Sequence, residues 1–214
     1  MKAITRALLI GLLFVGSAYA DDPTKTTDTT KTNKDTTAKK EKLTPAELQV
    51  MAHYKDVNMT EIDLGKVAKK QGGTAAVKSY GEMMVKDHGA MDKQLKDLAK
   101  MTKQTIPAEK MTTDAEKQAQ AEMKKDVAAL KKLKGADFDR AYIQMMIDGH
   151  EREVSNIDSK MAEVNNPELK TLLTDLKPQL QHHEDAAKEL QKNNAQAMNQ
   201  PHTNQPQAKQ QPRK

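Results

Sequence analysis

The sequence predicts an all-α protein built around four long helices. Apolar residues recur every three or four positions along four segments, which is the period of a helix buried on one face. No segment shows the apolar–polar alternation of a half-buried strand. Glycines at 72–73 and the Asn-Asn-Pro sequence at 165–167 interrupt the pattern, and short turns of this kind join antiparallel neighbours.

Start and stop signals set the bounds of each predicted helix. Thr44 and Thr113 each begin a capping box, with glutamate three residues later, and Thr74 and Asp137 are the caps predicted for two further helices. The predicted long helices span residues 44–71, 74–101, 137–164 and 167–192. A shorter, alanine-rich helix at 113–133 is expected on the outside of the bundle.

The long connection between the second and third long helices determines the predicted topology. It covers residues 102–136 and includes the shorter helix, which at 1.5 Å per residue is about 30 Å long. That length can return the chain to the end where the second helix began, so that the second and third helices run parallel. The prediction is therefore a ferritin-like four-helix bundle, up-down-down-up, with one long crossover that contains an extra helix.

Both ends of the chain differ in composition from the predicted bundle at 44–192. Residues 1–20 read as a signal peptide, with Lys2 and Arg6 before an apolar run and cleavage expected near Ala20. The Thr/Lys/Asp-rich segment 21–43 predicts a disordered linker, and the Asn/Gln/Pro-rich segment 193–214 a disordered tail. We therefore expect export to the periplasm or the medium, as a soluble or peripherally envelope-associated protein without a transmembrane segment.

Composition excludes several classes of protein. The chain has no cysteine, so disulfides, thiolate metal sites and a lipid-modified cysteine are excluded. Without residues 1–20 the 35 basic groups fall to 33, against 30 acidic ones, which leaves a net charge of +3. Because the lysines alternate with acids and aromatic residues make up only 3%, no nucleic-acid partner is expected.

Each long helix places one polar residue in the middle of its apolar row. These residues are Glu61, His88, His150 and His183. Counted from the turns and helix starts, the histidines lie at matched depths, while Glu61 is out of step with His88 by about 6 Å of helical rise. Imidazole suits Zn, Cu or Fe, and a carboxylate can complete four positions. The pattern predicts one transition-metal ion near the middle of the bundle.

Two alternatives to this ligand set stay open. A metal-free core cluster, in which Glu61 bridges protonated histidines, would also satisfy the buried polar groups. Met84 and Met146 precede two of the histidines by four residues and lie on the same helix faces. Their thioethers would suit Cu(I), although methionine at this spacing is more often core packing.

Other titratable residues near the histidines receive lesser roles. Asp87, Glu151 and Glu184 adjoin the histidines but point about 100° away around the helix, so they are surface residues or, at most, partners of a ligand. Asp87 is the candidate retained for that role. His53 and His202 have no evident partner in the sequence.

A ferritin-type di-iron centre does not fit. Such centres need Glu-x-x-His on two helices and two further glutamates. The residues three before the histidines are Val85, Ile147 and Leu180. With too few carboxylates for two ions, we expect one metal at most.

These residues lie in phrases that resemble a known family. The phrases are EIDLGKVAKK, VKSYGEMMVKDH, FDRAYIQMMIDGH and KPQLQHHEDAAKEL, and together they resemble the domain-of-unknown-function 4142 family over about residues 45–191. That family comprises exported bacterial proteins of ferritin-like fold, often labelled as outer-membrane proteins, and it supplies no established activity. The resemblance implies that the following residues match the family pattern: Glu61, Asp87, His88, Phe138, Asp139, Tyr142, His150, Pro178, Leu180 and His183.

Three functions follow as hypotheses. The first is an exported bundle that binds one transition metal for metal buffering or envelope stress protection. The second is a metal-free structural or interaction protein of the cell envelope, with its partner or oligomeric state left open. The third is a metal-dependent oxidoreductase acting on oxygen species. No nucleophile constellation or phosphate-binding loop supports another enzyme class, and enzymatic activity itself is left open.

Overall fold

The described part of the protein, residues 41–199 of a computed structural model, is all-α. Its helices are α1 (Pro45–Gln71), α2 (Ala75–Met101), α3 (Asp114–Leu130), α4 (Gly135–Ala162) and α5 (Pro167–Asn199). No strand is present within these residues, so the predicted all-α class is confirmed. The predicted signal peptide, most of the predicted linker and residues 200–214 of the predicted tail lie outside the described residues.

Four helix bounds differ from the prediction, and one of them is the end of α4, which lies at Ala162 and not at residue 164. The α4 helix begins at Gly135, whose φ of +58° only glycine adopts readily, so Asp137 lies in the first turn and is not the cap. The α3 helix ends at Leu130, because the next residues form a tight turn closed by hydrogen bonds such as Leu133 N to the Leu130 carbonyl, 3.0 Å. The α5 helix continues past Lys192 to residue 199, since the alanines, glutamine and methionine of this stretch are good helix formers.

The long helices pack as two hairpins that lie against each other. One hairpin is α1 with α2 and the other is α4 with α5, and further contacts join α2 to α5 and α1 to α4. The shorter α3 helix touches α4 and buries only Leu130, as expected of a helix on the outside. The α1 and α2 helices approach so closely at Gly65 and Gly81 that a Cβ on either glycine would lie 2.7 Å from the carbonyl oxygen of the other.

Two buried carboxylates join the hairpins in a reciprocal manner. Glu47 of α1 accepts hydrogen bonds from the backbone N–H groups of Asn165 and Asn166 in the α4–α5 turn, at 2.9 and 2.6 Å. Asp139 of α4 accepts hydrogen bonds from the N–H groups of Gly73 and Thr74 in the α1–α2 turn, at 2.8 and 3.0 Å. Each hairpin therefore fixes the turn of the other, one at each end of the molecule.

The apolar core is divided into two clusters by a polar layer. One cluster contains Tyr54, Met91, Ile157 and Leu180 among others, and the second contains a corresponding set from the opposite half of each long helix. Along every long helix, the polar residue singled out in the sequence falls between the two clusters. Those four residues are all buried: Glu61, His88, His150 and His183.

Replacing Asp139 by alanine tests whether these carboxylates, which each bind the turn of the other hairpin, stabilise the fold. Two amide groups would lose a charged acceptor, and hydrogen bonds to charged groups are each worth about 1.5–3 kcal/mol. We expect the free energy of unfolding to fall by about 2–4 kcal/mol in urea titrations. The matched control is Asp137→Ala, which removes an exposed ion pair with Arg140 and should cost less than about 1 kcal/mol. An equal loss in the free energy of unfolding of the two variants would show that the hydrogen bonds of Asp139 to the α1–α2 turn do not stabilise the fold.

Candidate metal centre

Three histidines from three helices meet in the polar layer. His88 of α2, His150 of α4 and His183 of α5 are 0%, 2% and 1% exposed. The centroids of their rings lie 5.7 Å apart for His88 and His150, 5.1 Å for His88 and His183, and 5.3 Å for His150 and His183. The matched depths predicted from the sequence therefore bring the three imidazoles into contact.

The glycine crossing positions the first histidine. His88 Nδ1 lies 2.8 Å from Oδ1 of Asn58, a buried residue of α1. Asn58 lies seven residues before Gly65, and His88 lies seven after Gly81. In antiparallel helices that touch at the glycines, residues two turns away on each side come to the same level. The Asn58 oxygen accepts the Nδ1 proton and leaves His88 Nε2 as the nitrogen with a free lone pair.

The other two histidines are oriented in the same way by acceptors. His150 Nδ1–H donates to the backbone carbonyl of Met146, 2.8 Å away. His183 Nε2–H donates to Oδ2 of Asp87, 3.2 Å away, and the hydroxyl of Tyr80 donates to the carbonyl of His183 at 3.0 Å. Asp87 thus contacts a histidine of another helix, and its role as the partner of a metal ligand stays a prediction.

Each imidazole keeps one nitrogen that has no protein partner. These are Nε2 of His88, Nε2 of His150 and Nδ1 of His183. The three histidines can offer ligand atoms that all lie within 4.8 Å of one another. Within residues 41–199 this is the one cluster of histidine or carboxylate side chains with the spacing of a metal site. A cation between the three nitrogens would satisfy all of them at once.

Burial keeps the imidazoles neutral, which is the form that binds metals. Burial lowers the pKa of His88 well below 6.5, and the two neighbouring histidines lower it further. Burial also lowers the pKa of His150, to about 4. For His183 the effect of burial is partly offset by the hydrogen bond to Asp87, and the net direction is still downward.

Glu61 lies beside the trio but does not share its spacing. A Cβ placed on Gly149 would lie 3.9 Å from Glu61 Oε1, so the carboxyl group sits against α4 one residue before His150. Its Oε2 is buried without a hydrogen-bond partner. Burial, with a further contribution from the charge of Glu153, raises the pKa of Glu61 to about 8. Ligation by Glu61 stays a prediction.

The methionines next to the histidines are core residues. Met84 and Met146 are completely buried and belong to the apolar cluster that contains Tyr80 and Tyr142. Both methionines lie one helical turn from the trio, as their spacing predicts. Their burial agrees with the packing role that methionine most often has at this spacing.

Sequence reasoning missed two residues near the site. Counting four residues back from Glu61 along α1 gives Val57 as the next inward residue, but Val57 is only partly buried, whereas Asn58 is 2% exposed. Tyr54, Asn58, Glu61 and Gly65 follow the same helical period, so only the polarity of Asn58 argued against it. The expectation that His53 has no partner is wrong, because Glu109 and Glu153 both contact its ring.

Comparisons with known proteins identify a family but no characterised relative. The model of the family described as Domain of unknown function (DUF4142) matches residues 32–190, three quarters of the chain. The match begins thirteen residues before the start of the resemblance found in the phrases, inside the predicted linker. Neither the curated proteins nor the solved structures contain a significant match.

The buried Glu61 predicts a pH-dependent stability for the metal-free protein. The folded state keeps the proton of Glu61 up to about pH 8, whereas the unfolded chain releases it near 4.5. The contribution of Glu61 to the free energy of unfolding is therefore highest below pH 4.5. It declines by on the order of 4 kcal/mol as the pH rises to 8. Glu61→Gln removes this decline, so its stability relative to the natural chain should increase over that interval.

Urea titrations at pH 4.5, 6 and 8 with a chelator present measure the difference. Glu82→Gln is the control, because Glu82 is exposed and pairs only weakly with Lys69 at 3.5 Å. A constant difference between Glu61→Gln and the natural chain across the three pH values would show that Glu61 ionises as easily when folded as when unfolded.

Proposed function

The chain belongs to the DUF4142 family, and we propose that it binds one transition-metal ion through His88, His150 and His183. Supporting the proposal is a single observation: three buried imidazoles each use one nitrogen as a donor, keep the other without a protein partner, and can offer ligand atoms within 4.8 Å of one another. Metal-ligating histidines characteristically donate their second N–H to a carbonyl or carboxylate, which fixes the tautomer and the ring.

The donor set limits the chemistry of the ion. Three neutral imidazole nitrogens suit Zn, Cu or Fe. Glu61 is the proposed fourth ligand, and it would have to release its proton to bind. The carboxylate of Asp87, behind His183, would supply a further negative charge close to the ion. A divalent cation would then have two carboxylates to balance its charge in a buried environment.

The proposed setting is an exported, ferritin-like bundle. The two hairpins, the long crossover and the contacts of α1–α2 with α4–α5 agree with the up-down-down-up topology expected from the sequence. Within the described residues, no helix has the length and apolar character needed to cross a membrane. With export by the predicted signal peptide, the role that we propose is metal buffering or envelope stress protection.

A metal-free structural module is the second candidate, and specific contacts favour it. The hydrogen bonds from His88 to Asn58 and from His183 to Asp87 each join two different helices. Polar contacts of this kind can set the register of a helical bundle without an ion. The two candidates differ in what the unpaired nitrogens do, and metal content decides between them.

Alanine substitutions of the histidines test the metal proposal. The full chain is purified and its bound metal is measured by elemental analysis, together with the melting temperature with and without added Zn, Cu or Fe. His88→Ala or His150→Ala should abolish stoichiometric binding and the metal-dependent rise in melting temperature. His182→Ala is the control, since His182 is exposed and lies next to His183 in the sequence. Unchanged metal content in both His88→Ala and His150→Ala would reject the site.

Substitutions behind the ligands separate metal binding from mere packing. Asp87→Ala and Asn58→Leu keep all three imidazoles but remove the acceptors that orient His183 and His88. We expect metal affinity to weaken about 10- to 100-fold in each case, which is the usual effect of such outer partners. Competition with a chromogenic chelator measures the affinity. If both variants bind as tightly as the natural chain, the hydrogen bonds do not orient ligands.

A further inference from the structure

The segment that joins α2 to α3 is fastened along α1. We call residues 102–113 the strap. Near its start, the side chain of Gln104 makes two hydrogen bonds with the backbone of Leu43, at 2.7 and 2.8 Å. Farther on, the N–H of Lys110 donates to Oε1 of Gln49 at 3.0 Å, and Ile106 packs against the apolar core. None of these contacts involves a group that titrates near neutral pH.

One further contact of the strap does involve such a group. His53 of α1 lies between two carboxylates, with Nδ1 2.7 Å from Glu109 of the strap and Nε2 2.9 Å from Glu153 of α4. The side chains are 23%, 19% and 13% exposed, so solvent screens the three charges only partly. A single imidazole thus joins three separate elements of the fold.

The geometry requires a particular protonation state. An ionised carboxylate can only accept hydrogen bonds, and a neutral imidazole has only one N–H to donate. Both contacts are therefore satisfied only when His53 is an imidazolium ion. When it loses a proton, one of the carboxylates faces a nitrogen lone pair at hydrogen-bond distance, and that contact becomes repulsive.

The surroundings favour the charged form of His53. Burial lowers its pKa, but the hydrogen bonds and charges of Glu153 and Glu109 outweigh burial, and the net pKa lies above 6.5. Among the described residues, the charged groups that contact the ring of His53 are Glu109 from the strap and Glu153 from α4. Its own helix contributes the ring of Tyr54, edge-on at 5.0 Å.

We propose that His53 is a proton-operated latch, which holds the strap against α1 and α4 when both ring nitrogens are protonated and releases it when one proton is lost. The raised pKa gives the direction: the latch is closed below the pKa of the folded protein and opens as the pH rises through it. Because Gln104 and Gln49 hold the strap independently of pH, only the part around Glu109 is released. The latch makes the attachment of the crossover sensitive to the pH of the surroundings.

Hydrogen exchange of the full, chelator-treated chain tests the latch. Protection factors of the strap amides around Glu109, residues 108–112, normalised to the intrinsic rate at each pH and to core amides of α2, are measured from pH 6 to 9. A parallel NMR titration of His53 gives its pKa. Protection of the strap should fall about tenfold across that pKa, which corresponds to the loss of one charged hydrogen bond. Flat protection across that interval would overturn the proposal.

Two variants and a control assign the effect to His53. His53→Gln cannot take up a proton, so its strap should show low protection without a pH step, whereas the control His182→Gln should keep the step. Glu109→Gln removes the carboxylate charge through which the strap contacts His53, and it leaves His53 and Glu153 in place. This variant should also abolish the pH step. A step that persists in either His53→Gln or Glu109→Gln would overturn the latch. These measurements require no bound metal, so their outcome is independent of the metal proposal.

Discussion

The exchange of carboxylates between the hairpins sets the geometry on which the polar layer depends. Glu47 of the first hairpin receives the amides of the second turn, and Asp139 of the second hairpin receives the amides of the first. A slip of one residue along a helix would displace side chains by 1.5 Å and rotate them by about 100°. The three imidazoles can share one level only because both ends of the bundle are fixed.

The close crossing of α1 and α2 at Gly65 and Gly81 positions His88 within the polar layer. Two glycines bring the backbones together, and two turns away the same approach brings Asn58 to His88. The Asn58 oxygen then decides which nitrogen of His88 carries the proton. The absence of two Cβ atoms thus allows the close helix packing that places Asn58 at hydrogen-bond distance from His88.

Helical periodicity predicted the trio because each histidine lies on a row that is otherwise apolar. It could not choose between Val57 and Asn58, which are adjacent and both compatible with the inward row. The starts of α1 and α2 were predicted from their threonine caps, and the end of α1 from the glycines that follow it. The start of α4 was not predicted, because the positive φ of Gly135 has no signal in the sequence pattern. The partners of His53 were inaccessible because Glu109 belongs to the strap, and periodicity carries no information on the path of an irregular segment.

The division of the core by the polar layer bears on how the protein opens. Each apolar cluster draws on all four long helices, but contacts between the two clusters are interrupted by the imidazoles and Glu61. Cooperative unfolding units follow continuous apolar packing. We expect the two halves of the bundle to open as separate units, with the histidine layer as the boundary between them.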